Sequence, residues 1–91
     1  MPYSTADQSY SVYILECADH TLYTGITNML ERRIDEHNLS DKGAKYTRAR
    51  RPVTLVYQEN HPDRSSASKR EHSIKKMSRA EKIELISKTF G

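Results

Sequence analysis

Tyr10-Ser11-Val12-Tyr13-Ile14-Leu15, followed after the turn-forming Ala18-Asp19-His20 by Thr21-Leu22-Tyr23-Thr24-Gly25, is the stretch on which the fold turns. Two short runs rich in aromatic and β-branched residues, with polar residues between them, predict a β-hairpin. The two-residue period of a strand puts Tyr10, Val12 and Ile14 on one face and Tyr13 and Leu15 on the other. One tyrosine is thereby expected to project from the sheet while the aliphatic side chains pack beneath it.

Working toward the C-terminus, Asn28 with Glu31 three residues later is a capping-box-like start, and Met29 to about Asn38 reads as a first helix. Leu30, Ile34 and His37 form its buried stripe. Arg33 sits on the shoulder of that stripe, where a guanidinium needs an acceptor, while Arg32 points to solvent. The segment from Ser40 to Pro52 has no periodicity, contains Gly43 and ends in Arg51-Pro52, so a loop is expected. Val53 to Tyr57 is the third strand. A second helix begins near residues 64–66 and runs to Met77, with Ala67, Ile74 and Met77 as its apolar stripe and Glu71 set into it. Ser78-Arg79-Ala80-Glu81 is a capping box that opens a last helix carrying Ile83, Leu85, Ile86 and Phe90. The predicted order is ββαβαα. It describes an α+β domain, a three-stranded antiparallel sheet flanked by helices. Residues 1–9 read as a loose tail and 10–91 as a single domain.

A chain of 91 residues has room for one core. No apolar run approaches the roughly 18 residues that would span a bilayer, and the N-terminus lacks the basic start and apolar stretch of a secretory signal. A cytoplasmic protein is expected, with no membrane partner. Cys17, the one cysteine, has no partner for an internal disulfide, and the four histidines lack zinc-ligand spacing. The net charge is only +3, but it is localised. Residues 1–27 contain Asp7, Glu16 and Asp19 and no Lys or Arg, whereas residues 42–51 contain Lys42, Lys45, Arg48, Arg50 and Arg51 without an acid. A second basic stretch runs from Lys69 to Lys82. Two cationic zones on one small body suggest a nucleic-acid surface; ordinary solvated faces are the plain alternative.

Tyr13 and Tyr23 on adjacent strands, Arg33 beside the core and Glu71 in an apolar stripe are costly choices for a protein that only has to fold. Tyrosines in strands usually pack, and Glu71 has a structural reading as an ion pair, with Arg33 as candidate partner. Taken in order, Ser11-Val12-Tyr13, Tyr23-Thr24-Gly25, then Asn28, Leu30, Arg33 and His37, resemble the GIY-YIG nuclease superfamily. Ala67 to Lys76 is similar to that family's helix bearing a single metal-binding glutamate, here Glu71. The resemblance covers roughly residues 10 to 80. It is closest to small stand-alone bacterial members, in which a segment like Gly43-Ala44-Lys45-Tyr46-Thr47-Arg48 precedes the third strand.

The resemblance implies a divalent-metal-dependent endonuclease acting on DNA, of the kind used in repair or recombination. Glu71 would bind one Mg²⁺ or Mn²⁺, and Arg33 would hold the phosphate oxygens. Tyr13 would serve as general base or water-positioning group, supported by Tyr23 through hydrogen bonding. A phenol is a poor base at pH 7, so the base role needs phenolate to be favoured. His37, one turn beyond Arg33, would orient a phosphate or relay a proton, against a plain reading as a packing histidine. Lys45, Tyr46, Arg48 and Arg50 mix basic and aromatic character suited to nucleic-acid contact. The first tripeptide lacks its glycine and isoleucine, and Thr24 stands for isoleucine in the second. With no appended DNA-binding domain, binding is expected to be weak and salt-dependent unless a protein partner or homodimerisation supplies specificity. The alternative is a non-catalytic nucleic-acid-binding or partner-binding module on the same scaffold.

Overall fold

The computed structural model describes residues 9–39 and 42–90, so most of the expected N-terminal tail, residues 1–8, lies outside the described residues. The elements are β1 (Tyr10–Glu16), β2 (Leu22–Thr27), α1 (Leu30–Leu39), α2 (Lys45–Arg48), β3 (Thr54–His61), α3 (Arg64–Lys75) and α4 (Arg79–Phe90). They form one antiparallel sheet in the order β2-β1-β3. The ββαβαα order is as expected, with one addition. Within the segment read as a loop, Lys45–Arg48 make a single helical turn, in which Thr47 and Arg48 donate backbone N–H groups to the Ala44 carbonyl.

Both faces of the sheet are covered. Val12 and Ile14 of β1 pack with Tyr57, Ala67 and Ile74 beneath α3 and α4. Tyr13, Leu15, Cys17 and Val53 form a second cluster, closed by Tyr23, Leu30, Ile34 and Leu55 under α1. Tyr13 is therefore not a projecting residue: only 1% of it reaches solvent. Period 2 sorted the side chains onto the right faces, but α1 lies across the face from which a tyrosine was expected to emerge.

The third strand runs four residues beyond the expected Tyr57, through Gln58-Glu59-Asn60-His61. Hydropathy hides this end because its inward carboxylate is satisfied by polar neighbours. Glu59 accepts hydrogen bonds from Tyr57, from Arg70 of α3 at 3.0 Å, and pairs with His61 at 2.6 Å. A register shift between Ile14 and Leu15 leaves Leu55 opposite Leu15 and Tyr57 opposite Ile14. Residues two apart would share a face in a regular strand; the bulge sends Leu55 to the α1 side and Tyr57 to the α3 side.

The helix ends follow the sequence signals closely. Thr27 accepts the Met29 N–H at 3.1 Å at the entrance to α1, a position at which Asn28 was the expected cap. Asp63 caps α3 through the Ser66 N–H at 2.8 Å. Ser78 and Glu81 exchange bonds in the predicted capping box. Asn38 mimics a strand neighbour, donating to the Val53 carbonyl and accepting the Val53 N–H. Gly43 brings the following turn against α1: a Cβ there would lie 2.7 Å from the Glu36 carbonyl oxygen and 2.8 Å from the His37 Cα. Both atoms are backbone and cannot step aside. Gly43→Ala is expected to cost about 1–3 kcal/mol, read as a lowered urea midpoint at unchanged slope; a midpoint equal to the parent's would show that the turn does not depend on this contact.

Candidate active site

β1 and β2 place Tyr13 opposite Gly25, and the glycine makes room for the phenol, since a Cβ there would stand 2.6 Å from the Tyr13 hydroxyl oxygen. From the α1 side His37, wholly buried, brings its Nε2 to 2.9 Å from that oxygen. Its other nitrogen, Nδ1, lies 2.8 Å from the Thr47 hydroxyl, which donates to the Ala44 carbonyl at 2.9 Å. Tyr23 closes the group: its ring centroid is 6.4 Å from that of Tyr13 and 5.2 Å from that of His37. The contact between the two tyrosines is ring against ring.

Burial, followed by the neighbouring Tyr23, pushes the Tyr13 hydroxyl up to about 12; Arg33 pulls the other way and the Glu71 charge adds to the rise. The phenol is protonated at neutral pH. Burial, reinforced by the positive charge of Arg33, lowers His37 to about 4, so the imidazole is neutral. At neutral pH the pair is uncharged and polar.

Arg33 finds the acceptors its shoulder position demands. One terminal nitrogen donates to Glu36 at 2.9 Å and to the Lys42 carbonyl at 2.7 Å. Its charge and hydrogen-bonding reach extend to Tyr13. Arg33 thus pairs with Glu36 rather than with Glu71, and Glu36 also takes exposed Arg32 at 3.3 Å. Beside the guanidinium lies a depression of about 190 Å³ lined by Thr27, Asn28, Met29, Arg32, Arg33 and Glu36.

Glu71 projects from α3. Ala67 and Ile74 face the sheet, and with about 100° between successive residues Arg70 and Glu71 flank that line on opposite sides. Arg70 reaches Glu59 on β3, and Glu71 occupies the other flank, where its charge is felt by Tyr13. Its ion-pair partner is Lys75, one turn on, at 3.2 Å, with the lysine side chain 53% exposed and the carboxylate 23%.

The basic segment divides. Lys45 and Arg48 are exposed. Arg50 is half-buried; it lies over the Tyr46 ring at 4.0 Å and donates to Asp19 in the hairpin turn at 3.1 Å. Tyr46 in turn stacks on Tyr23, with centroids 6.0 Å apart. Thr47, Gly25 and Glu36 belong to this arrangement; sequence reasoning quoted Gly25 and Thr47 within motifs but assigned none of the three a role in the site. The signal for Thr47 was slight: the small pair Gly43-Ala44, which lets the chain press against a helix that carries a histidine.

No helix among the described residues is long and apolar enough to cross a membrane. Comparison with known proteins agrees with the geometry. Residues 9–84 match the family model of the GIY-YIG catalytic domain. The UPF0213 protein DP2720 of Desulfotalea psychrophila is 60% identical over 86% of this chain and 71% of its own length. A UPF0213 protein of Syntrophus aciditrophicus is 60% identical over 82% of this chain and 86% of its own. The solution structure of the UPF0213 protein BH0048 from Bacillus halodurans superposes with a TM-score of 0.57 at 46% identity, over 87% of this chain and 83% of that one. That of EF2693 from E. faecalis gives 0.61 at 42% identity, over 91% and 86%. Matched over most of its length by sequence and by fold, the chain belongs to the GIY-YIG family, a nuclease-type family of catalytic domains.

Proposed function

We propose that this protein is a divalent-metal-dependent endonuclease that hydrolyses DNA phosphodiester bonds, with Tyr13, Tyr23, Arg33, His37 and Glu71 as its site. The observation that carries the reading is the convergence on one oxygen. The Tyr13 hydroxyl lies 2.9 Å from His37 and feels Arg33, Tyr23 and Glu71, so that five residues from four separate elements meet around it.

Hydrolysis needs a placed water, neutralised phosphate charge and a stabilised leaving oxygen. In the tautomer with Nε2 unprotonated, the Tyr13 hydroxyl donates to His37 and its lone pair faces the Arg33 side of the site, where a water would be held. Tyr13 therefore positions the water; its raised pKa argues against phenolate as the resting species. Tyr23 packs against both rings and holds them in place. Arg33 has N–H groups beyond those committed to Glu36 and Lys42, in the fork geometry that suits non-bridging phosphate oxygens, and the depression beside it admits them.

Glu71 suits a hard cation. It is a partly exposed carboxylate whose lysine partner lies in solvent and can swing away. Among the described residues there is no cluster of three or more His, Cys, Asp or Glu, so water and phosphate oxygens would complete the shell of a bound Mg²⁺ or Mn²⁺. Such an ion, when bound, supplies charge neutralisation at the phosphate and the leaving 3′ oxygen. Lys45 and Arg48, both exposed, would contact the nucleic-acid backbone. Arg50 and Tyr46 support them by shaping the turn, and so small a cationic surface leaves specificity to a protein partner or a second copy.

Incubation of branched, single-stranded and duplex DNA with Mg²⁺ or Mn²⁺ is expected to give cleavage products. Glu71→Gln and Arg33→Lys should each slow cleavage by about 100-fold or more. DNA binding without cleavage by the parent would instead identify a non-catalytic module. The histidine adds a pH test. An imidazole lowered to about 4 stays neutral while the unfolded chain protonates near its ordinary 6.5, so the unfolded state binds the extra proton between those values. Its contribution to stability is full above about 6.5 and is lost as the pH falls toward 4. An NMR titration of the folded protein should place the His37 midpoint near 4, and a midpoint near 6.5 would remove its role as a neutral acceptor.

A further inference from the structure

Thr47 is completely buried, although it belongs to a four-residue helical turn whose other members are exposed. Its hydroxyl has two polar neighbours, the Ala44 carbonyl oxygen at 2.9 Å and His37 Nδ1 at 2.8 Å. A hydroxyl carries one proton, and a carbonyl oxygen only accepts. With the Thr47 proton on Ala44, the Thr47 oxygen is an acceptor toward the ring, and Nδ1 must hold the imidazole proton. Nε2 is then a lone pair facing Tyr13 at 2.9 Å, and the phenol donates to it.

We propose that Thr47 is a positioning residue: it fixes the proton of His37 on Nδ1 and thereby turns the remaining lone pair of the Tyr13 hydroxyl toward the Arg33 side of the site, where the attacking water would be held. The first half concerns this chain alone; the second rests on the nuclease reading. The hydrogen bonds run in one direction, from Tyr13 to His37 to Thr47 to the Ala44 carbonyl, and every buried polar atom in the series is satisfied. One contact opposes this polarity. The Ala44 N–H approaches Nδ1 at 3.4 Å, a longer and weaker interaction than the hydroxyl contact. It becomes the nearest polar neighbour of Nδ1 once the hydroxyl is removed. The imidazole proton then moves to Nε2 and is donated to the Tyr13 oxygen. The phenol proton rotates toward the Arg33 side, and the lone pair that would face Arg33 and a water is consumed.

The backbone explains why Thr47 can act at such short range. Gly43 permits the approach to Glu36 and His37, and the turn that follows closes on Ala44, which supplies both the acceptor for Thr47 and the competing N–H. The Thr47 carbonyl accepts the Arg50 N–H at 2.9 Å, holding the turn from its far end. The side chain is thus held by its own helical turn and not by the substrate.

Thr47→Val keeps the shape and removes the hydroxyl, whereas Thr47→Ser keeps the hydroxyl. Ring ¹⁵N shifts of His37 in the metal-free protein should report the Nδ1–H tautomer in the parent and in Thr47→Ser, and Nε2–H in Thr47→Val. With Mg²⁺ and DNA, Thr47→Val should lower the single-turnover cleavage rate by about 100-fold at unchanged DNA affinity, and Thr47→Ser should restore it. Thr47→Ala repeats the comparison without added bulk should valine unfold the chain. Retention of Nδ1–H without the hydroxyl, or cleavage at the parental rate, overturns the proposal. A parent that cleaves no DNA overturns the nuclease reading and the water-directing half with it, while the tautomer measurement still decides whether Thr47 controls His37.

Discussion

The hydrogen bond between the Tyr13 hydroxyl and His37 Nε2, sealed between the sheet and the first helix, is the constraint around which the rest is arranged. An unpaired polar atom in such a place costs about 1–3 kcal/mol, so each atom of the pair obliges another residue to meet it. The obligation spreads outward. His37 needs Thr47, Thr47 needs Ala44, and Ala44 reaches its position only because Gly43 carries no side chain. On the opposite strand Gly25 is fixed by the same phenol. The two glycines belong to segments far apart in sequence, yet one buried oxygen accounts for both.

The cationic segment before the third strand takes on a different character in this light. Arg51 donates to the His37 carbonyl at 2.5 Å and toward that of Glu36 at 3.4 Å, closing the C-terminal end of α1. Arg50 is held by Asp19, and the Ala18 N–H meets the Arg50 carbonyl at 2.9 Å, so the segment is fastened to the hairpin turn by side chain and backbone together. Much of what composition presents as a polyanion-binding run is internal scaffolding for the wall of the site. Hydrogen bonds from charged donors to helix-end carbonyls are among the stronger ones available at a protein surface, which explains arginine where lysine would serve mere solubility.

Alternation in Tyr10–Glu16, the capping box at Ser78 and the placement of Arg33 beside an apolar stripe are local patterns, and the sequence read alone recovers them along with the element order. The hairpin tyrosines, the arginine and the glutamate were legible as a set because a known family carries them in the same order. What escaped has one physical cause. The closed second face of the sheet, the polar end of the third strand, the helical turn at Lys45–Arg48 and the part played by Thr47 all depend on contacts between distant segments. Thr47 illustrates this well. A threonine between a tyrosine and an arginine in a basic segment has the composition of a loop, and only the burial forced by α1 distinguishes it from its exposed neighbours. Glu71 shows the reverse case: its helical position was clear, but its expected arginine partner was already engaged by Glu36.

The third helix carries two of its charges on opposite flanks, with Arg70 gripping the far strand through Glu59 and Glu71 paired with Lys75 on the other side. A cylinder clamped along one side cannot roll. The orientation of the flank that carries Glu71 is therefore set in part by Glu59, a residue on β3 that pairs with Arg70, and drift at Glu59 in evolution would be felt on the opposite side of the helix.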